Sequence, residues 1–413
     1  MSDLKIASIK LSEVVLLLLT PFYLKQIFKS RILLLFFLFF LLFFFKTAIV
    51  NTFTKFYIND ELPLLKQPYF ISLSRLIEMI ACLIFSLFIA NAFKLVKDPY
   101  ALLKKILFVQ IFIFGIFYIF IYCLYAGHIL STTSYDNLIV YDASAGDMVF
   151  RLRGLYVEGG PLGLFYAFLF LVCVPFYKRL QLSPLYLALC LVVVFMANSK
   201  AGYMLVVLTG VVFLFSKVTN YIKTYTAKVT FYALIVICFI GASGGILEMY
   251  ITSFTNIEET SATFAPNEID PNFMLGRISA GVILPNMLQD SYLKGIGWGN
   301  YPLLRNNPQY RKFMPEIPVS MWDATGFGGM VDTLIEAGIP LFVLYLLIYF
   351  HTIKQIRKKI GNSGYVVLAF IGPLLLGVSI YFLYTWFLLG VIVFMLDMPS
   401  EKEEIAAGQN LDI

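Results

Sequence analysis

From Ile32 to Phe45 the chain runs through fourteen isoleucines, leucines and phenylalanines without one polar side chain. Such a segment belongs in lipid or in a bundle core. In lipid only a helix or a closed barrel satisfies every backbone N–H and C=O. A second charge-free run extends from Tyr203 to Phe215, and 60% of the sequence is hydrophobic. Apolar runs with room for about 20 residues each predict spans at roughly 32–52, 69–95, 103–126, 156–177, 183–198, 201–216, 229–247, 327–350, 364–379 and 381–397. Gly372, Pro373 and Gly377 divide the last apolar stretch in two. The run Val14 to Leu24 is short and contains Pro21, which suits a re-entrant or interfacial segment. The expected fold is all-α: a polytopic membrane protein of about 10–12 transmembrane helices, one domain over 1–413, with a long, partly helical loop at 248–326.

Charge sets the expected orientation. Lys94, Lys97, Lys104 and Lys105 mark one loop, Lys178 and Arg179 another. Lys217, Lys223 and Lys228 follow, then Lys354, Arg357, Lys358 and Lys359. Short basic loops face the cytoplasm. Two acidic segments alternate with them: 128–155, with Asp136, Asp142 and Asp147, and 248–326, with Glu248, Glu258, Glu259, Glu268, Asp270, Asp290 and Glu316. Both are expected to face outward. The net charge of +6 thus suits membrane orientation rather than nucleic-acid binding. The first apolar run is followed by Lys25, Lys29 and Arg31, not by small residues, so no cleavable signal peptide is expected. All five cysteines fall inside apolar runs, and His128 and His351 are assigned to different loops. Neither pattern offers metal-ligand spacing.

Against this background the stretch Phe150 to Gly163, FRLRGLYVEGGPLG, is anomalous. Arg151, Arg153 and Glu158 stand where a polar loop enters an apolar helix, and a charge at membrane depth costs on the order of 3 kcal/mol. One reading is an interfacial cluster that snorkels to water. The sharper one is anion binding at a helix start, with Gly154, Gly159, Gly160 and Pro161 bending the backbone around it. A hinge, Asn198-Ser199-Lys200-Ala201-Gly202, lies on the same predicted side. Arg277 opens the segment 272–291, where Phe273, Ile278, Val282, Ile283 and Met287 recur at near-helical spacing, as in a surface helix. Next comes Gly295-Ile296-Gly297-Trp298-Gly299-Asn300-Tyr301, whose Trp298 and Tyr301 suit either sugar stacking or interfacial anchoring. Inside a span, Arg75 and Glu78 are spaced to neutralise each other. No internal repeat of the transporter kind is evident.

Taken in order over about 150–350, these pieces resemble the O-antigen polymerase and ligase superfamily of bacterial envelope glycosyltransferases. They are Arg151-x-x-Gly154 with Glu158 ahead of a helix, the Asn198 to Gly202 hinge, Gly276-Arg277, the Gly295 to Tyr301 segment, and Leu334-Ile335-Glu336-Ala337-Gly338-Ile339-Pro340 opening a late span. In this chain Gly159 and Gly160 separate the glutamate from Pro161, and Lys200 stands where arginine is common. The ligase branch carries a histidine before the late span; residues 303–335 contain none, which favours polymerase over ligase.

The resemblance implies a metal-independent enzyme without a cofactor in the bacterial cytoplasmic membrane, its site facing outward. Its partners would be an undecaprenyl-pyrophosphate-linked glycan donor, a lipid-linked repeat unit as acceptor, membrane lipid and a chain-length regulator protein. Arg151 and Arg277 would offset leaving-group charge, with Arg153 and Lys200 lining the same cavity. Glu158 would act as general base, with Asp323 and Asp332 as the next titratable groups. Trp298, Tyr301 and Glu336 would contact glycan. Ligase and flippase remain the alternative readings.

Overall fold

The computed structural model describes residues 5–6, 9–56, 62, 64–127, 129, 139–142, 149–156, 159–221, 277–312, 316, 328–359 and 363–398. Among these the chain is mostly helical. Two short antiparallel ladders accompany the helices: β1 (Lys5–Ile6) with β2 (Ile9–Lys10), and β3 (Ile139–Asp142) with β4 (Val149–Leu152). The helices are α1 (Leu11–Ile27), α2 (Arg31–Phe53), α3 (Pro68–Leu95), α4 (Pro99–Ala126), α5 (Gly159–Phe176), α6 (Pro184–Met196), α7 (Lys200–Tyr221), α8 (Arg277–Ser291), α9 (Gly329–Lys359), α10 (Ser363–Leu375) and α11 (Leu383–Asp397). Single helical turns at Tyr301–Leu304 and Pro308–Arg311 lie between α8 and α9.

Of these, α2, α3, α4 and α9 are long and apolar enough to cross a membrane. The helices α5, α6, α10 and α11 are apolar but shorter, as is the Lys200–Leu214 part of α7. The span expected at 229–247 lies outside the described residues. The segment around Pro21 forms the 17-residue α1 with the proline inside it. Residues 364–397 do form two helices, parted where Gly377 takes φ +88°. His351 lies inside α9 rather than on a loop, because the helix continues to Lys359. The FRLR sequence begins as a strand, not as a loop, since β4 pairs with 139–142 and sets Arg151 opposite Val140.

Local sequence explains the boundaries. Asp98 caps α4 by accepting from Ala101 N–H at 2.9 Å, and Pro99 occupies the first turn, where its missing N–H costs nothing. Ser183 and Pro184 repeat the device at α6. On α2, Phe36, Phe39, Phe40 and Phe43 are buried at helical spacing, while Leu38, Leu42, Phe45 and Ile49 are exposed. Apolar residues on both faces are what a helix shared between bundle and lipid requires.

The chain divides into two compact units: 1–42, 74–209 and 343–413 form the first, and 43–73 with 210–342 the second. In the first, Phe36 packs edge-on against Tyr345, Tyr349 and Trp386 at 5.3–6.4 Å. Helices α3 and α11 meet at Gly390, where a Cβ would fall 2.5 Å from the Ser86 carbonyl. Arg75 and Glu78 form the expected pair at 2.8 Å, and the guanidinium also lies 4.5 Å above the Tyr381 ring. In the second unit α8 buries Ala280, Ile283, Leu284 and Met287 against Ile296, Tyr301, Leu304, Tyr310 and Ile335. Of the helix expected over 272–291, Arg277–Ser291 is present and 272–276 lie outside the described residues; the buried stripe is 280/283/284/287, and Val282 is only half-buried.

Candidate functional site

The first unit gathers three of the expected cations around two helix starts. Arg151, held on β4, donates through Nη2 to the Asn198 carbonyl at 3.3 Å, so residues 47 apart in sequence are joined at the hinge. Asn198 has φ +44°, a conformation asparagine tolerates better than most residues, and it turns the chain from α6 into α7. Ser199 caps α7 by accepting from Gly202 N–H at 3.1 Å, and its hydroxyl donates to the Gly160 carbonyl in the first turn of α5 at 2.9 Å. The contact is close because both helices carry glycine there. A Cβ on Gly163 would lie 2.3 Å from that of Ser199, and one on Gly202 would lie 2.9 Å from the Gly163 carbonyl. Two N-terminal turns thus lie side by side, each with N–H groups that no helical carbonyl accepts.

Charge reinforces the arrangement. Lys200 is the first residue of α7 and is exposed. A cation there opposes the helix dipole, which favours negative charge at this end by about 0.3–1 kcal/mol. An anion bound at the helix starts would reverse that penalty. Arg153 is half-buried, and its carbonyl accepts from Tyr156 N–H at 3.1 Å in the turn through Gly154 that leads to α5. Glu158 lies outside the described residues.

Beside the hinge, α6 and α7 border an apolar groove of about 430 Å³ lined by Leu191, Val194, Phe195, Tyr203, Val206 and Val207. The Tyr203 hydroxyl donates to the Phe195 carbonyl at 3.1 Å, and Arg151 lies within electrostatic reach of Tyr203. The groove thus begins next to the cations.

The remaining expected site residues belong to the second unit. Arg277 is the first residue of α8, and Asp323 lies outside the described residues. Trp298 is wholly buried and stacks on Phe43 at 4.7 Å with 5° between the planes. Its backbone N–H donates to Thr47 Oγ1 at 3.0 Å, and its carbonyl accepts from Ser72 Oγ at 3.4 Å. Tyr301 is 4% exposed, so neither ring offers a face to a sugar; the segment packs inward because α2 supplies both an aromatic face and polar partners. Burial raises the Tyr301 pKa, with Arg305 opposing and Asp332 reinforcing the shift, which places Tyr301 near both. Arg305 is itself buried, and that desolvation lowers its pKa against the pull of Tyr301.

Glu336 is tied to the glycine segment. Its Oε1 accepts from Gly299 N–H at 3.0 Å, and its backbone sits where α9 breaks, at Gly338 (φ 71°, ψ 163°). At that break Ile296 N–H donates to the Ile335 carbonyl and Gly297 N–H to the Glu336 carbonyl, both at 3.1 Å. Lys46 Nζ donates to the Glu336 carbonyl at 3.1 Å and to that of Ala337 at 2.7 Å. Broken helices in transporters present such carbonyls to ions; here a loop and a lysine already occupy them. Sequence reasoning missed Lys46, Thr47, Asn51, whose Oδ1 accepts from Asn300 Nδ2 at 2.6 Å, and Arg305. The signal for the first three was the abrupt end of the charge-free run at Lys46. No protein-family model, curated protein or solved structure matches the chain.

Proposed function

We propose that this protein polymerises undecaprenyl-pyrophosphate-linked oligosaccharides at the outer face of a bacterial cytoplasmic membrane. The observation that carries the reading is the conjunction, in one unit, of Arg151, Arg153, Lys200 and two adjoining helix starts with an apolar groove. A lipid-linked pyrophosphate is an anion on a long apolar tail, and this arrangement complements both parts. Order along the chain supports the reading further, since the same residues carry the resemblance to O-antigen polymerases. In the reaction an acceptor hydroxyl attacks the anomeric carbon of the donor glycan. The bond from that carbon to the pyrophosphate oxygen breaks, undecaprenyl pyrophosphate leaves, and the hydroxyl proton passes to a base. Charge grows on the leaving group, and fixed cations lower that barrier.

Two expected results test the chemistry. Purified protein given lipid-linked repeat units should build polymer in excess EDTA, because the cations supply the charge compensation that a metal ion would otherwise provide. A strict requirement for magnesium or manganese would overturn this assignment. For the base, Glu158→Gln should slow chain growth about 10²–10⁴-fold, the usual loss when a general base is removed. Near-normal growth in that variant would reduce Glu158 to a partner that positions an arginine, and would pass the role to Asp323 or Asp332.

A further inference from the structure

Lys46 closes the apolar run of α2 and is the first charge on that helix after Arg31. A lysine so placed ordinarily snorkels along the helix toward water. This one is directed at the break in α9 instead, where Nζ donates to the Glu336 carbonyl at 3.1 Å and to the Ala337 carbonyl at 2.7 Å.

Several sources of negative potential meet at that nitrogen. The two carbonyls belong to the last turn before Gly338, where the helical ladder stops and backbone oxygens lose their N–H partners. The same end of the half-helix 329–337 carries the negative pole of its dipole. The Phe43 ring, one turn back on α2, has its centroid 5.7 Å from Nζ, within cation–π range. That ring is held in place by its stack on Trp298. The Glu336 carboxylate, fixed by the Gly299 N–H at 3.0 Å, attracts the ammonium as well. Carbonyls, a carboxylate and an aromatic face drawn from two helices suit a compact point charge better than a planar guanidinium fork.

We infer that the break in α9 is a site for one compact monovalent cation, of the ammonium or potassium class, and that the Lys46 ammonium is its built-in occupant. Breaks of this kind in transporters hold free ions. Here the ion is tethered, so the second unit needs none from solution. The inference concerns that unit alone and holds whatever reaction the protein performs.

The test is thermal unfolding in detergent of the parent, Lys46→Ala and Lys46→Met. Each is melted in the chlorides of potassium, ammonium, methylammonium and tetramethylammonium at equal concentration. The parent should melt alike in all four. Lys46→Ala empties the site and leaves room in it. Its melting temperature should be lowest in tetramethylammonium, which is bulky and has no N–H, and should recover saturably in at least one compact cation. At ten times the dissociation constant, binding shifts the folding equilibrium about tenfold, which reads as a rise of several degrees. Lys46→Met fills the space with an apolar stem and should stay low in every salt. Equal melting of Lys46→Ala in all four salts overturns the inference, as does the same salt dependence in the parent or in Lys46→Met. Should Lys46→Ala fail to accumulate, reductive methylation of the parent decides. Mass spectrometry should then find Lys46 modified at least about tenfold more slowly than the exposed Lys97, and comparable rates overturn the inference.

Discussion

Arg151→Ala is expected to abolish long-chain glycan in cells while the protein still accumulates in the membrane. The guanidinium presents five N–H donors in a rigid fork that fits phosphate oxygens two at a time. One of its nitrogens, Nη2, binds the Asn198 carbonyl and so fixes the fork beside the start of α7. Removing a preorganised donor of this kind costs about 10²–10³ in rate, enough to remove long chains from a gel. Arg151→Lys should recover part of the activity, since charge returns but the fork does not. Loss of the Asn198 bond also disturbs the hinge, so the lysine variant and a melting curve separate chemistry from folding. By resemblance Arg277→Ala should lose polymer as well. Normal polymer from both alanine variants would remove the site assignment.

How far the sequence could be read depended on the range of the interaction. Helices were legible because apolar runs and the caps at Asp98 and Ser183 act within a few residues. The meeting of Arg151 with the hinge was expected only as a common side of the membrane. The packing of α5 on that hinge depends on Gly163 and Gly202 letting two helices approach, which no local pattern encodes. Trp298 shows the opposite failure. An aromatic among glycines suits a sugar platform in sequence, yet its partner is Phe43, 255 residues away, and the ring is buried. The strand at Val149–Leu152 was missed because its partner strand lies in the segment read as a polar loop.

Gly338→Ala should strongly destabilise the second unit. Gly338 adopts φ 71° and ψ 163°, a region open essentially to glycine alone, and forcing another residue there costs about 1–3 kcal/mol before any clash. The added Cβ would then lie 2.6 Å from the Leu293 carbonyl and 2.7 Å from Gly295 N, backbone atoms that cannot rotate away. Gly295 has the converse constraint, with φ +63° and a Cβ position 2.3 Å from the Glu336 carbonyl. To admit the methyl group, the loop must lift off the break in α9. That would sacrifice the bonds from Ile296 and Gly297 to the Ile335 and Glu336 carbonyls, and from Ile339 N–H to the Tyr292 carbonyl. Leaving the Ile335 and Tyr292 carbonyls unpaired costs about 1–3 kcal/mol each, against a total stability of about 5–15 kcal/mol for a typical domain. The expected result is loss of most monodisperse protein on size-exclusion chromatography in detergent. Lys46→Met provides a milder companion: it keeps the apolar stem and removes the ammonium that serves the Glu336 and Ala337 carbonyls. It should lower the melting temperature without preventing folding. A Gly338→Ala protein with the parent's elution profile and melting temperature would show that the docked loop is not what holds the broken helix in place.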